Sequence, residues 1–229
     1  RKEVELFYQI PKFRIHKLPH PTPSYILNDN NKSQSYISKK YNLPKDFIFY
    51  PAQLWPHKNH INLLHAIKLI EEKYGLKLKL VLTGSDKGNK QHIINIAKQL
   101  NLLDKIYILG FVPKDEMMAF YKSSSLLAYL SLCGPENLPP LEAFSAECPV
   151  LCSRIDGSEE QFDDAVLYCN PKDPKDIADK IFSLQTDNNL KINLIKKGNE
   201  RAKFFTSSEF SKSILKIIQD FSKIRINWS

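Results

Sequence analysis

Short apolar runs of about four to eight residues alternate, through the middle of the chain, with segments whose apolar positions recur at helical spacing. Runs of that length between turn residues predict buried strands, and the longer periodic segments predict amphipathic helices. The six predicted strands cover residues 47–51, 78–83, 105–109, 126–132, 149–153 and 166–169. The helices predicted between them cover residues 61–74, 91–103, 115–123, 137–146 and 158–162.

The strict alternation of strands and helices indicates parallel strands joined by right-handed crossovers. Each predicted strand is apolar throughout, as expected of a sheet that helices cover on both faces. We therefore predict an α/β fold built on a doubly wound, Rossmann-like parallel sheet. Ligands of such sheets bind beyond the carboxyl ends of the strands. Gly84, Gly110 and Gly134 each follow a predicted strand, and they indicate a site at that edge.

The two flanks of this alternating region have different patterns. Residues 3–10 predict a strand, and residues 33–42 predict a helix that ends before Pro44. Beyond residue 172 the apolar spacing is helical over residues 173–186, 190–204 and 208–224. The last of these helices begins at a capping-box sequence that opens with Thr206.

The composition is that of a globular protein: of 229 residues, 42% are apolar and 25% are charged, with a net charge of +8. No apolar run approaches the roughly 20 residues that span a bilayer. The positive charge suits a phosphate-bearing ligand or an anionic membrane surface. The lysines are scattered and form no dense basic block, so we predict no nucleic-acid partner. The four cysteines contain no Cys-x-x-Cys pair and indicate free thiols in a reducing cytoplasm.

The segment 134–143 carries the strongest chemical signal. An apolar run ends at Gly134, a helix is predicted to begin at Asn137, and Glu142 follows on its second turn. The free backbone N–H groups and the positive end of such a helix attract an anion. Glu142 can accept hydrogen bonds from hydroxyls attached to that anion. A phosphate joined to a ribose is therefore the predicted ligand.

A second candidate site lies in the loop 51–59, after the first strand. Lys58 stands just before a predicted helix, where a fixed cation and backbone donors together suit a diphosphate. His57 beside it is a further candidate donor. The chain has neither a Gly-x-Gly-x-x-Gly after a strand nor a Gly-Lys-Ser/Thr loop, which leaves a dinucleotide site and a P-loop unsupported. No spacing of His, Asp and Glu residues suggests a metal site.

Four blocks of sequence carry a resemblance to a known family. They are the loop 51–59 (PAQLWPHKN), a strand ending in Leu-Thr-Gly at Gly84, the turn 109–113 (LGFVP) and the segment 134–144 (GPENLPPLEAF). The blocks resemble the carboxyl-terminal half of retaining glycosyltransferases of the family 4 type, also called glycosyl transferases group 1, which have two Rossmann-like domains (the GT-B fold). The resemblance runs from about residue 46 to residue 205, and the order and spacing of the four blocks make it specific.

The resemblance implies roles for the residues at matching positions. Lys58 matches the lysine that contacts the donor diphosphate, and Glu142 matches the glutamate that binds the ribose hydroxyls. We assign these two as the catalytic residues. The backbone amides of Asn137 and Leu138 match those that meet the phosphates. The further residues that the resemblance places beside the phosphates and the base are Gly84, Phe111 and Val112.

Two positions depart from the usual pattern of the family. Gln53 stands where an arginine usually joins the lysine at the diphosphate, which leaves Lys58, the helix amides and His57 to neutralise the phosphates. Gly134 stands where a first glutamate usually lies near the transferred sugar. Glu136, two residues later, is the candidate that substitutes for it.

The implied reaction is the transfer of a hexosyl group from a nucleotide diphosphate sugar, UDP- or GDP-linked, to an acceptor hydroxyl with retained anomeric configuration. The expected setting is the synthesis of a surface polysaccharide or glycolipid. Positive groups aimed at the departing diphosphate would stabilise its charge, so neither a metal nor a cofactor is implied. We expect the protein in the cytoplasm, with the inner face of the membrane as a candidate peripheral contact.

The resemblance also implies a division of the chain. Residues 1–45 form a linking segment that leads from an acceptor-binding domain outside this chain. Residues 46–205 form the nucleotide-sugar-binding domain, and residues 206–229 form a helix that crosses back to the acceptor domain. We expect the chain to bind the donor without transferring sugar by itself.

Two other functions stay open on the sequence alone. Sugar-nucleotide 2-epimerases share the two-domain architecture and would interconvert a nucleotide sugar without an acceptor. A non-catalytic nucleotide-binding module is the second alternative, and the departures at Gln53 and Gly134 favour it.

Overall fold

The structure, a computed structural model, describes residues 2–27, 31–134 and 137–226. Within them, six parallel strands form one sheet in the order β3-β2-β1-β4-β5-β6. The strands are β1 (Phe47–Pro51), β2 (Lys79–Thr83), β3 (Ile106–Ile108), β4 (Ser124–Tyr129), β5 (Val150–Ser153) and β6 (Leu167–Cys169). This doubly wound α/β sheet confirms the predicted fold class.

Helices connect the strands and cover the sheet. Those before β4 are α1 (Lys2–Tyr8), α2 (Gln34–Tyr41), α3 (His60–Tyr74), α4 (Lys90–Gln99) and α5 (Met117–Ser123). Those after it are α6 (Leu138–Ser145), α7 (Ser158–Phe162), α8 (Pro174–Thr186), α9 (Asn188–Ala202) and α10 (Ser207–Ile226). No helix in the described ranges combines the length and the apolar character needed to cross a membrane.

The central strands are buried because both faces of the sheet are covered. Ile48 of β1 pairs with Leu80 of β2 on one side and with Leu126 of β4 on the other, and all three are inaccessible to solvent. The chain leaves β1 toward β2 and β3, then returns to place β4 on the opposite side of β1. This reversal opens a crevice above the carboxyl ends of β1 and β4, where ligands of such sheets bind.

Gly84 holds the edge beside this crevice together through its backbone. Its N–H donates to the carbonyl of Gly110 at 2.7 Å, while the N–H of Ala52 donates to Thr83 at 2.9 Å. Gly84 has φ +133°, and a Cβ there would lie 2.2 Å from the carbonyl oxygen of Ala52. Only glycine permits that approach. Close packing of the loops that follow β1 and β2 therefore explains this glycine without any ligand.

The prediction of a strand over residues 3–10 is wrong, since the structure has helix α1 there. Val4 and Leu6 alternate with Glu3 and Glu5, which is the period of a strand. The two glutamates, however, lie in the first turn of α1, where negative charge favours a helix. The other differences concern boundaries: α4 ends at Gln99 rather than at residue 103, and β4 spans Ser124–Tyr129 rather than residues 126–132.

The segment before β1 contacts the chain beyond α9 directly. The N–H of Thr22 donates to the carbonyl of Phe205 at 2.8 Å, just beyond α9. Helix α10 follows, and Thr206 caps it by accepting from the N–H of Glu209 at 3.2 Å, as the capping-box sequence predicts. Leu215 and Phe221 of α10 are exposed apolar side chains. The division at residues 45 and 205 stays a prediction.

Candidate functional site

Lys58 lies at the carboxyl edge of the sheet, above β1 and β4. It ends a 3₁₀ turn, Pro56–Lys58, and Asn59 then reverses the chain with φ 60° before α3 begins. The hydroxyl of Tyr50 donates to the Lys58 carbonyl at 2.7 Å and fixes this turn. The ammonium lies 3.4 Å from Oγ of Ser131 and 5.7 Å from the centre of the Tyr129 ring.

The Lys58 ammonium has no carboxylate counter-ion among the residues that the structure describes. No ion pair in the described ranges joins it to a carboxylate. The side chain is half-buried, and burial lowers the pKa of its ammonium. A partly desolvated cation that lacks a carboxylate partner attracts an anionic ligand. The electrostatics of this position therefore favour a phosphate.

The start of α6 offers fewer backbone donors than the sequence pattern suggests. Asn137 precedes the helix, and Leu138 is its first residue. The next two residues, Pro139 and Pro140, have no N–H groups. Two of the free donors expected at a helix start are thus absent, and those of Asn137 and Leu138 remain. These are the two residues whose amides the sequence predicts at the phosphates.

Gly134 brings the two parts of the site together. A Cβ at this position would lie 4.0 Å from the Lys58 ammonium, 3.6 Å from Oδ1 of Asn137 and 3.9 Å from Oγ of Ser131. Lys58 and the amino end of α6 therefore face the same small volume. The space continues into a cleft of about 550 Å³ at the carboxyl ends of β4, β5 and β6, which Gly134 helps to line.

Glu142 lies on α6 with only 4% of its surface exposed. One carboxylate oxygen accepts a hydrogen bond from the hydroxyl of Tyr25, and the other accepts from Tyr121 at 2.6 Å. Burial raises the pKa of the Glu142 carboxyl, while the two hydroxyl donors act in the opposite direction. Each carboxylate oxygen can accept a second hydrogen bond. A ribose hydroxyl that binds Glu142 would therefore donate to a carboxylate that already accepts hydrogen bonds from two tyrosines.

Gln53 and His57 lie in the loop after β1, and Trp55 links them. The indole N–H of Trp55 donates to Oε1 of Gln53 at 2.9 Å, and its ring stacks on His57 with centroids 6.2 Å apart. Burial, followed by the charge of Lys58, lowers the pKa of His57. The His57 carbonyl accepts from the N–H of Leu132 at 2.8 Å. That bond joins this loop to the one after β4.

The remaining predicted residues occupy the other side of the edge. Phe111 is 75% exposed, whereas the Val112 side chain lies in the core. Gly84 lies at the rim, where it has the backbone role described above. Glu136 lies outside the described residues. The roles of all these positions in ligand binding stay predictions.

Several residues that the structure brings to the site were not predicted from the sequence. Tyr25 and Tyr121 reach Glu142 from 117 and 21 residues away, so no local pattern connects them. Gln161 of α7 bonds Asn137 from 24 residues away. Ser131 does have a sequence signal, because it follows β4 directly. A polar residue just after a strand of this sheet lies at the ligand-binding edge.

Comparison with known proteins agrees with this architecture. The model of the family described as Glycosyl transferases group 1 matches residues 33–201. The chain is 30% identical to the O-antigen chain mannosyltransferase RfbU of Salmonella typhimurium over 152 residues, which are 66% of this chain and 41% of that protein. It is 26% identical to the O-antigen chain mannosyltransferase B of Escherichia coli over 171 residues, 74% of this chain and 45% of that one. The chain thus spans less than half the length of either relative.

Solved structures share the fold at lower identity. A glycosyltransferase from Rickettsia africae superposes with a TM-score of 0.83 at 18% identity, over 97% of this chain and 61% of that one. Anabaena Alr3699/HepE, solved in complex with UDP and glucose, superposes with a TM-score of 0.71 at 17% identity, over 86% of this chain and 53% of that one.

Proposed function

Because the chain belongs to the Glycosyl transferases group 1 family, we propose that it forms the donor-binding half of a retaining hexosyltransferase. Its ligand is a nucleotide diphosphate sugar, held above the carboxyl ends of β1 and β4. The observation that carries this proposal is the Lys58 ammonium, which is half-buried, has no carboxylate partner in the described part of the chain and faces the amino end of α6.

Sugar transfer requires a fixed positive charge beside the departing diphosphate. Negative charge grows there as the bond to the sugar breaks, and a cation already aimed at it stabilises the transition state. Lys58 and the backbone amides of Asn137 and Leu138 supply that stabilisation. Loss of one such donor is expected to cost about 2.7–4 kcal/mol of barrier, by analogy with the loss of an oxyanion-hole donor.

Glu142 binds the ribose in this proposal. An ionised carboxylate accepts two hydroxyl hydrogens at once, which suits the neighbouring hydroxyls of a ribose. The hydroxyls of Tyr25 and Tyr121 favour the ionised form against the effect of burial. Glu142 and Lys58 then recognise different parts of one ligand. Loss of Lys58 is expected to weaken the binding of any diphosphate, whereas loss of Glu142 is expected to weaken only ligands that carry a ribose.

The relatives, and not the geometry, support a choice of transferred sugar. Two of them are O-antigen chain mannosyltransferases, which supports a mannosyl donor and a role in surface polysaccharide synthesis. Because a structural neighbour holds UDP and glucose, a UDP-linked donor is the alternative. We propose that the acceptor binds in a second domain, which this chain does not supply, and that the chain alone therefore binds donor without transfer.

Calorimetry and thermal shift with UDP, GDP, ADP and inorganic diphosphate test the proposal. Lys58→Ala is expected to weaken every one of these ligands about tenfold or more, while Lys98→Ala, which removes an exposed lysine of α4, leaves them unchanged. Glu142→Gln is expected to weaken the nucleotides but not inorganic diphosphate. Glu147→Gln, at an exposed glutamate, is its control.

The same measurements carry the outcomes that overturn the proposal. Nucleotide binding that stays unchanged in both Lys58→Ala and Glu142→Gln would show that the ligand does not bind at this site. Binding that needs added Mg²⁺ and disappears with a chelator contradicts neutralisation of the diphosphate by protein groups alone. Conversion of a nucleotide sugar by the complete protein without an acceptor would favour the epimerase alternative.

A further inference from the structure

Asn137 stands at the position that caps a helix, yet it does not cap α6. An asparagine there normally accepts a hydrogen bond from the N–H of the second or third helical residue. Those residues are Pro139 and Pro140, which have no N–H to give. Asn137 makes no side-chain capping bond. The Leu-Pro-Pro sequence therefore leaves the side-chain oxygen of Asn137, Oδ1, available to another donor.

Gln161 of α7 fixes the orientation of the Asn137 amide. Nε2 of Gln161 donates to the backbone carbonyl of Asn137 at 3.3 Å, and that carbonyl can only accept. Oε1 of Gln161 must therefore face the Asn137 side chain, where it accepts from Nδ2 at 3.2 Å. The choice of amide nitrogen and oxygen follows from this pair of bonds. Oδ1 of Asn137 consequently points away from Gln161.

Arg201 of α9 holds Gln161 in turn. Its guanidinium donates from Nε to the backbone carbonyl of Gln161 at 2.9 Å and from a terminal nitrogen to the carbonyl of Glu160 at 2.6 Å. The path from Arg201 through Gln161 to Asn137 ties the amide to two helices outside the crevice. The Asn137 side chain is thus braced before any ligand arrives.

Oδ1 of Asn137 points into the space in front of Gly134. Oδ1 lies 3.6 Å from the place where a Cβ of Gly134 would stand, and that place is 4.0 Å from the Lys58 ammonium. Asn137 is 5% exposed, and Oδ1 has no hydrogen-bond partner within the described ranges. A buried acceptor without a donor costs free energy that a bound donor recovers.

We propose that Oδ1 of Asn137 accepts a hydrogen bond from a hydroxyl of the transferred sugar, and that Gln161 is the positioning residue that aims it. The inference rests on the proposed function, since it places the hexose beside the diphosphate held by Lys58. Gly134 leaves room for the sugar, which extends into the adjoining cleft of about 550 Å³.

The chemistry of the neighbours selects a neutral hydroxyl as the donor. A cationic donor would be repelled by the Lys58 ammonium, and an anion has no hydrogen to give. The amide also differs from a carboxylate at this place, because it carries no charge that would offset Lys58. The full charge of Lys58 therefore remains available to the diphosphate while Asn137 holds the sugar.

This inference is tested by the increment in affinity, which is the factor by which a nucleotide sugar binds more tightly than the same nucleotide without the sugar. We would compare GDP with GDP-mannose, and UDP with UDP-glucose, by calorimetry on the 229-residue chain. In the unmodified chain one of the sugars is expected to tighten binding about tenfold. Asn137→Leu and Gln161→Leu are expected to abolish that increment, and in Gln161→Leu the affinity for the bare nucleotide is expected to change less than about twofold.

Two further variants separate positioning from stability. Gln161→Glu keeps an acceptor for Nδ2 of Asn137 but loses the donor to its backbone carbonyl, so it is expected to restore only part of the increment that Gln161→Leu loses, whereas a merely structural role would not favour this variant. Gln99→Leu replaces an exposed glutamine of α4 and is expected to leave the increment intact. Thermal unfolding of each variant confirms that the chain is folded.

The outcomes distinguish this inference from the function on which it rests. A chain that binds neither nucleotide contradicts the donor site and this inference together. A chain that binds GDP or UDP but gains nothing from either sugar retains the donor site and loses the role of Asn137. An increment that survives in both leucine variants overturns the inference in the same way.

Discussion

The hydroxyl of Tyr25 donates a hydrogen bond to Oε1 of Glu142, which is 117 residues further along the chain. Tyr121 donates to the other oxygen of the same carboxylate at 2.6 Å. Tyr25 belongs to the linking segment, whereas Tyr121 is fully buried at the base of the site on α5. The proposed ribose-binding carboxylate is therefore bonded to a segment that lies before β1 in the chain.

Tyr25 is expected to compete with the ribose for Glu142. Because Glu142 is almost wholly covered, a ribose hydroxyl must share Oε1 with the Tyr25 hydroxyl, and its bond to that oxygen is expected to strengthen when the tyrosine donor is absent. Tyr25→Phe removes the competing hydroxyl and keeps the ring, so we expect nucleoside diphosphates to bind several-fold more tightly. Calorimetry with UDP and GDP measures the change, and a hydrogen bond to a charged group is worth about 1.5–3 kcal/mol.

Tyr121→Phe is the matched control for this competition. Its hydroxyl lies at the buried side of Glu142, so its loss leaves the carboxylate poorly solvated and is expected to weaken nucleotide binding and stability together. Inorganic diphosphate, which does not need Glu142, should bind Tyr25→Phe as it binds the unmodified chain. Weaker nucleotide binding by Tyr25→Phe would instead mean that Tyr25 orients Glu142 for the ribose.

Local sequence patterns predict the sheet and the loops at its carboxyl edge, because strands and helices follow from the spacing of apolar residues. The same patterns cannot predict Tyr25 or Gln161, whose bonds to the site join distant parts of the chain. They also miss why Gly84 is a glycine, since its cause is a carbonyl of a neighbouring loop. The misassigned strand at residues 3–10 has a period of two but lies in an exposed helix. Alternation alone therefore does not establish a strand.

Lys58 is expected to lower the stability of the unliganded protein. Its ammonium is half-buried without a carboxylate partner in the described part of the chain, so replacing it by an apolar side chain of similar length removes a desolvation cost. Lys58→Met should raise the free energy of unfolding by roughly 1 kcal/mol, which corresponds to about 2–4 °C in Tm. The same variant should lose nucleotide binding.

Scanning calorimetry with and without GDP or UDP measures both effects at once. Lys98→Met, at an exposed position, is expected to change neither the Tm nor the shift that the nucleotide produces. A Tm that falls in Lys58→Met would show that the lysine supports the fold, and its role would then be structural.

His60 is a buried histidine directly after this loop, at the start of α3. Its ring packs against Tyr50 with centroids 4.9 Å apart and the ring planes tilted by 31°, and neither ring nitrogen has a hydrogen-bond partner in the described ranges. Burial, followed by the charges of Lys58 and His57, lowers the pKa of His60 from 6.5 to about 4. The folded protein therefore keeps this ring neutral at pH values where the unfolded chain protonates it.

This difference predicts a loss of stability in mild acid. Above pH about 6.5 both states are neutral and His60 has no effect; as the pH falls toward about 4, the unfolded chain binds a proton that the folded protein does not. The loss from this group reaches roughly 3 kcal/mol at the lower limit. Urea unfolding of His60→Phe and the unmodified chain, at intervals from pH 7.5 to pH 4, should give curves that diverge below pH about 6.5. His92→Phe, at an exposed histidine, should follow the unmodified chain, and parallel curves for His60→Phe would disprove the assignment.

Gly198 of α9 lies against the ring of Phe144 on α6, the helix that carries Glu142. A Cβ at residue 198 would stand 2.7 Å from Cδ1 of Phe144, closer than two carbon atoms can approach. The Phe144 ring is itself confined, since it meets Phe162 of α7 edge to face with centroids 6.1 Å apart. α6 and α9 therefore pack at a distance that only glycine allows.

Gly198→Ala is thus expected to destabilise the protein, although alanine favours a helix over glycine by about 1 kcal/mol. Displacement of the Phe144 ring should outweigh that gain and lower the free energy of unfolding by about 1–3 kcal/mol in urea titrations. Asn193→Ala, at an exposed position of the same helix, should instead raise it by a few tenths of a kcal/mol. Because α6 also carries Glu142, Gly198→Ala should weaken UDP or GDP binding as the helix shifts. A gain in stability at residue 198 would mean that Phe144 moves aside freely, and nucleotide affinity should then remain unchanged.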